Sequence, residues 1–229
     1  MTDFHTHILP GIDDGSKSPE MSLQMLAACA EQGVDTVVCT PHFYADCDEP
    51  AEFLENRKNA ILKLKEYVER LRLTETVPGL PVIYLGAEVY FFSSMSYCEE
   101  LPSFAIGSSG YILVEPPMTD WTETIIGEIE AAGHNFNLMP VIAHVDRYIE
   151  SPDDSYPFDV ICGRDMLCQV NASFFINPET RDMALYLLSQ GRIHAFGSDC
   201  HNMTGRSPNL GPAADIITAA GLIVPEIAL

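Results

Sequence analysis

The segment "DFHTHILPGIDDGSK" sets two histidines, His5 and His7, two positions apart, with Asp13 and Asp14 following between glycines. Residues two apart share a face on a strand, whereas on a helix they diverge. In an extended conformation this stretch can aim both imidazoles at one cation, with an aspartate curling back from the loop. Six further ligand types recur downstream, His42, Glu88, Glu115, His144, Asp199 and His201. With His5, His7 and Asp14 they make nine imidazole or carboxylate groups and no thiolate. One ion takes about four to six ligands, so nine groups with a bridging carboxylate fit two or three divalent ions. The donor mix suits Mn, Fe, Zn or Mg better than a structural zinc site. Asp13 is either the ligand in place of Asp14 or a residue that shapes the turn. Glu88 and Glu115 could instead cap strand ends, but buried acids without partners are costly. His134 and His194 stand away from strand ends and read as structural.

The elements that must position these groups follow from hydrophobic runs. "TDFHTH", "DTVVCTPH", "PVIYLGAE", "GYILVE", "MPVIAH", "MLCQVN" and "IHAFGSDCH" are short, apolar and rich in β-branched residues. Such runs suit strands buried on both faces, as in a parallel sheet. Helix signals lie between them. Ser18-Pro19 starts one helix and Gly33 closes it. Leu54, Ile61, Leu64, Val68 and Leu71 fall at helical spacing, and Trp121, Ile125, Ile126 and Ile129 do so before Gly133. Asn177-Pro178 opens a further helix that ends at Gly191, and a last one runs from Pro212 to Gly221. "ELPSFAIGSSG" lacks a helix pattern, so the third crossover is expected to be irregular. This alternation predicts an α/β barrel or an open doubly wound sheet. Six of the seven runs end in a candidate ligand, at the strand ends where parallel α/β folds collect their chemistry.

The totals bound the answer. A chain of 229 residues, 47% hydrophobic, is read as one domain over 1–229. A formal charge of −21, from 33 acidic and 12 basic residues, argues against a nucleic-acid partner, which needs basic patches. Bound divalent ions would reverse that sign locally. The acidic stretches "DCDEPAE" and "SPDDS" read as solvated surface. There is no apolar run long enough for a membrane span and no signal-peptide pattern. Seven irregularly spaced cysteines without a CxxC argue against a disulfide framework and for a reducing, cytoplasmic setting.

Taken together, "DFHTHILPGIDDGS", "TPHF", "GAEVYF", "YILVEPP", "PVIAHVDRY" and "GSDCHN…GR" resemble, in order, the signatures of the PHP (polymerase and histidinol phosphatase) superfamily. The similarity is to its bacterial tyrosine-protein phosphatase branch, of the CpsB/CapC type, and spans about residues 3 to 211. It implies a distorted (β/α)7 TIM-like barrel with a trinuclear site, often manganese, at the C-terminal ends of the strands. By that resemblance His5, His7, Glu88 and Asp199 would hold one ion. Glu88 would bridge to a second with Glu115 and His144. Asp14, His42 and His201 would hold the third, so Asp14 is preferred over Asp13. Arg147 and Arg206 match phosphate-facing arginines. "HVDRY" departs from the more usual His-Pro-Glu-Arg, and "GRSP" stands where Arg-Pro-Pro is common. The implied reaction is hydrolysis of protein phosphotyrosine by a metal-activated hydroxide. The implied substrate is a bacterial tyrosine kinase tail that regulates capsule or exopolysaccharide synthesis.

Rival readings make distinct demands. Cys200 to Ser207 reads "CHNMTGRS", the C-x5-R-S/T pattern of cysteine-dependent tyrosine phosphatases, whose thiolate attacks phosphorus. That loop should lead into a helix at its arginine, but Pro208, Gly211 and Pro212 follow. An amidohydrolase also begins with HxH, yet Asp14, His42 and His201 supply ligands beyond its needs. A small-molecule phosphomonoesterase of the same superfamily, such as a histidinol-phosphate phosphatase, is separable only by comparing histidinol phosphate with phosphotyrosine peptides.

Overall fold

The computed structural model describes residues 1–73, 79–119, 121–149 and 155–229. All seven apolar runs form strands, and two are broken in the middle. In order they are β1 (Thr2–Thr6), β2 (Thr36–Cys39) with β3 (His42–Phe43), and β4 (Val82–Leu85) with β5 (Glu88–Tyr90). β6 (Tyr111–Glu115), β7 (Met139–Ile142), β8 (Leu167–Asn171) and β9 (Ala195–Gly197) follow. Pro41 cannot donate to a ladder, and Thr40-Pro41 separates β2 from β3. Gly86-Ala87 makes the matching break between β4 and β5.

Every pairing is parallel, in the orders β1-β2-β4 and β3-β5-β6-β7-β8-β9. Bonds from Gly86 N to Cys39 O (2.9 Å) and from Glu88 N to Pro41 O (3.0 Å) carry the ladder across both breaks. The sheet curls until its first and last runs meet. Asp199 N donates to His5 O and His7 N to Cys200 O, each at 2.9 Å, beside a parallel bridge between Thr6 and Cys200. The fold is thus α/β, with a curled parallel sheet.

Helices α1 (Pro19–Glu31), α2 (Pro50–Arg72), α3 (Glu123–Phe136), α4 (Tyr156–Cys162), α5 (Ser173–Ile176) and α6 (Arg181–Ser189) lie in the crossovers, and α7 (Leu210–Ala219) follows β9. The third crossover carries only 3-10 turns, Met95–Tyr97 and Leu101–Phe104. Ser18 caps α1 by accepting from Met21 N, and Thr122 caps α3 by accepting from Ile125 N. α3 continues through Gly133 to Phe136, and Asn137, with φ 53°, provides the left-handed stop. Gly133 has a packing purpose, because a Cβ there would lie 2.9 Å from Pro140.

α2 packs through Phe53, Ile61, Leu64 and Val68, with the Phe53 ring 5.6 Å from Phe104 and Phe43 4.3 Å from Phe104. Each such buried side chain contributes about 1.5–3 kcal/mol. Arg57 of α2 donates to Gly86 O (2.7 Å) and to Ser103 O (2.9 Å), tying the helix to the break just before Glu88. A second cluster, with Phe4, Val38, Leu113, Val141, Ala143 and Ala195, draws on the strands rather than the helices. Both faces of the sheet are therefore dry, as a parallel sheet requires. The acidic segment at 151–154 lies outside the described residues.

Candidate metal centre

The strand ends bring the nine expected ligand types to one place. His5 Nε2 and His7 Nε2 lie 3.2 Å apart. Glu88 Oε2 is 3.1 Å from His5 Nε2, 3.2 Å from His7 Nε2 and 3.0 Å from His42 Nδ1. Its other oxygen is 2.9 Å from His144 Nε2, which is 3.3 Å from Glu115 Oε1. Asp199 Oδ1 is 3.7 Å from His5 and 3.5 Å from His7. Asp14 Oδ1 lies 3.2 Å from His201 Nε2 and 3.5 Å from His42 Nε2. Ligand atoms lie within 4.8 Å of one another in three groups: His5, His7, Asp199; His7, Asp14, His42, His201; and His42, Glu88, Glu115. Glu88 is buried and central, which register explains: β5 pairs His42 with Glu88 on one side and Glu88 with Leu113 on the other.

Two groups that sequence reasoning missed, or left as alternatives, fix the imidazoles. Asp13, 5% exposed, accepts from His7 Nδ1 at 2.7 Å, from Gly15 N at 2.9 Å and from His42 N at 3.3 Å. An ionised carboxylate only accepts, so the His7 proton sits on Nδ1 and Nε2 faces the centre. Gly15 is demanded by this turn, since a Cβ would fall 2.2 Å from His7 O. Gln169 Oε1 stands 3.3 Å from His5 Nδ1 and accepts from His144 N at 2.6 Å. Gln169 belongs to the sixth run, the one without a terminal ligand; a buried amide in an apolar strand was the available signal. Such outer partners orient metal-binding histidines generally.

The electrostatics ask for positive charge. Burial opposes ionisation of Glu88, but His5, His144 and His42 hold its carboxyl well below the ordinary range. Asp199 is likewise kept ionised against burial by His5, His7 and Arg147. Against burial, Asp13 and Glu88 pull His7 up to about 10, and Glu115 and Glu88 pull His144 up to about 9. His201 goes the other way, to about 4, through burial and the neighbouring His7. His42 Nδ1 and Glu88 Oε2 face each other at 3.0 Å, yet both are buried without a hydrogen-bond partner, as is His201 Nε2. Buried imidazole and carboxylate atoms left without hydrogen-bond partners fit divalent cations, which would satisfy them together.

Two backbone positions carry strain. His144 (φ 33°) and Asp199 (φ 52°) are left-handed non-glycine residues, a placement that concentrates at functional sites. Arg147 follows in a 3-10 turn, Val145–Tyr148. That turn is pinned by Tyr148 Oη donating to Pro116 O (2.6 Å) and by Asp146 accepting from Asn171 N (2.8 Å). Arg206 ends a loop folded around Asn202 Oδ1, which accepts from Thr204, Gly205 and Arg206 amides. Both guanidiniums meet Asp199 Oδ2, Arg206 at 2.6 Å and Arg147 in a closer pair. Cys200 is fully buried between two candidate ligands, and burial raises its thiol pKa well above the ordinary value. Neither fact suits an attacking thiolate.

The family described as capsular polysaccharide synthesis, CpsB/CapC, matches residues 1–220. The chain belongs to the CpsB/CapC family. This CpsB/CapC member is 29% identical to the tyrosine-protein phosphatase CpsB of Streptococcus pneumoniae, over 95% of this chain and 89% of that one. It is 24% identical to the tyrosine-protein phosphatase YwqE of Bacillus subtilis, over 90% and 80% of the two chains. A solved structure described as YwqE from Bacillus subtilis and CpsB from Streptococcus pneumoniae, "unique metal-dependent tyrosine phosphatases", superposes with a TM-score of 0.76. That match has 22% identity and covers 96% of this CpsB/CapC chain and 87% of the other. The lactonase Lmo2620 of Listeria monocytogenes shares the fold at a TM-score of 0.56 and 15% identity, over 96% and 88% of the chains.

Proposed function

We propose that this chain is a metal-dependent protein-tyrosine phosphatase, and that its seven strand runs close as a distorted (β/α)7 barrel around the metal centre. The observation that carries the reading is the convergence of nine candidate ligand residues, with two arginines at Asp199. Names of relatives support the substrate class. The parallel bridge between Thr6 of β1 and Cys200, just past β9, supports closure. We assign His5, His7, Glu88 and Asp199 to one ion, Glu88, Glu115 and His144 to a second, and Asp14, His42 and His201 to a third. Manganese is the first choice, with Fe, Zn or Mg as the others. When bound, divalent ions supply a water of lowered pKa and charge stabilisation for phosphoryl oxygens.

The protein's own groups do the rest. Asp13 and Gln169 hold the proton on the far nitrogen of His7 and of His5, leaving Nε2 of each for the centre. Arg147 and Arg206, 38% and 40% exposed, present planar forks that bind and orient phosphoryl oxygens and spread their charge. A phenolate leaving group, with a pKa of about 10, needs less protonation than an alkoxide. The physiological substrate fits a phosphorylated bacterial tyrosine kinase in capsule or exopolysaccharide assembly, in keeping with the family's description. Such a role places the protein in the cytoplasm; no helix among the described residues is long and apolar enough to cross a membrane. The test is to strip metal, assay a phosphotyrosine peptide, and return Mn, Fe, Zn and Mg singly. Activity should vanish and return with manganese; no rescue by any ion would overturn the reading.

A further inference from the structure

The register that centres Glu88 also builds a layer above it. Tyr90 lies two residues beyond Glu88 on β5 and so shares its side of the strand, while Tyr44 follows directly after β3. β5 pairs Tyr90 with Glu115, two residues outward from the Glu88–Leu113 pair. The Tyr44 ring stacks on the His42 imidazole, with centroids 5.3 Å apart and planes at 28°, and stands 5.7 Å from the Tyr90 ring. An aromatic wall therefore rises directly from the candidate ligands. Tyr44 also lines a cavity of about 470 Å³ with Asp13, Asp14, His42, Ile12 and Phe53. Tyr44 remains 37% exposed, so one part of its ring is covered by His42 and another faces the cavity. Tyr148 stacks on His144 with centroids 6.2 Å apart, is tilted against Trp121 at 4.7 Å, and commits its hydroxyl to Pro116. Tyr148 is thus a wall fixed by packing, while Tyr44 offers an open ring beside the ligands.

We infer that Tyr44 is a specificity-determining residue: its exposed ring receives the aryl ring of the substrate while the phosphoryl group lies at the ligands and arginines. The inference rests on the phosphatase reading above. Offset or edge-on packing of two aromatic rings adds attraction that an alkyl phosphate cannot obtain. Tyr44 would select aryl over alkyl phosphates through binding, without touching phosphorus.

The experiment measures calorimetric binding of phenylphosphonate and methylphosphonate to manganese-loaded wild type, Tyr44→Ala and Tyr44→Phe, with hydrolysis of a phosphotyrosine peptide alongside. Tyr44→Ala should weaken phenylphosphonate by about five- to tenfold, leave methylphosphonate unchanged, and raise KM more than it lowers kcat. Tyr44→Phe, which keeps the ring, should match wild type with both probes. Equal weakening of both probes, or no weakening of either, would overturn the role of Tyr44. If wild type itself hydrolyses no phosphotyrosine peptide with any metal, the phosphatase reading falls and this inference falls with it.

Discussion

Asp13 accepts a hydrogen bond from His7 Nδ1 at 2.7 Å, while its neighbour Asp14 points to His42 and His201 from a side chain that is 64% exposed. Adjacent aspartates thus do different things. One is buried and orients an imidazole; the other is open and offers its oxygen to the centre.

Their substitutions should separate accordingly. Asp13→Ala should weaken metal binding by about 10- to 100-fold through loss of an outer partner, yet keep full stoichiometry at saturating metal. Asp14→Ala should lower the stoichiometry itself. Metal titration by calorimetry with elemental analysis distinguishes the two, and identical behaviour would remove the division of labour.

Arg147 and Arg206 share Asp199 Oδ2 and stand partly exposed beside the ligands. Replacing either by Ala should lower kcat/KM on phosphotyrosine peptide by about 10²- to 10³-fold, the scale of one lost charge-stabilising donor. Metal content should be unchanged. A variant that keeps wild-type kinetics would show that its guanidinium does not reach the phosphoryl group.

Cys200 is completely buried and its backbone is committed, its carbonyl accepting from His7 N at 2.9 Å. Cys200→Ser should therefore retain turnover, and iodoacetamide should leave the Cys200 thiol of the folded protein unmodified by peptide mass spectrometry, whatever it does at the exposed Cys47 and Cys162. Complete loss of activity in a folded, metal-loaded Cys200→Ser variant would revive the thiolate mechanism.

How legible this was in the sequence depends on the distance over which each feature is decided. The seven strand runs were readable because two-sided burial leaves an unbroken apolar signature over a few residues. The breaks at Thr40-Pro41 and Gly86-Ala87 were not read, although Pro41 and Gly86 mark them locally. The smallness of Gly133 serves Pro140 on β7, a tertiary contact no local pattern reports. The nine ligand types stood out because buried carboxylates and imidazoles are expensive anywhere else. Gln169 and the orienting role of Asp13 stayed hidden. Glutamine in a strand and aspartate in a turn are ordinary until a histidine from another element is set beside them.

The seam between β9 and β1 has a consequence for biogenesis. Ser198 N and Oγ donate to Asp3 at 2.8 and 2.6 Å across 195 residues of chain. The first two histidines leave the ribosome long before Asp199 and His201 exist to join them. Contacts of such long range are slow to form, because the loop must close before they stabilise anything. On the proposed reading, metal capture would then be among the last events of synthesis, and a nascent chain halted before β9 would carry candidate ligands but no completed centre.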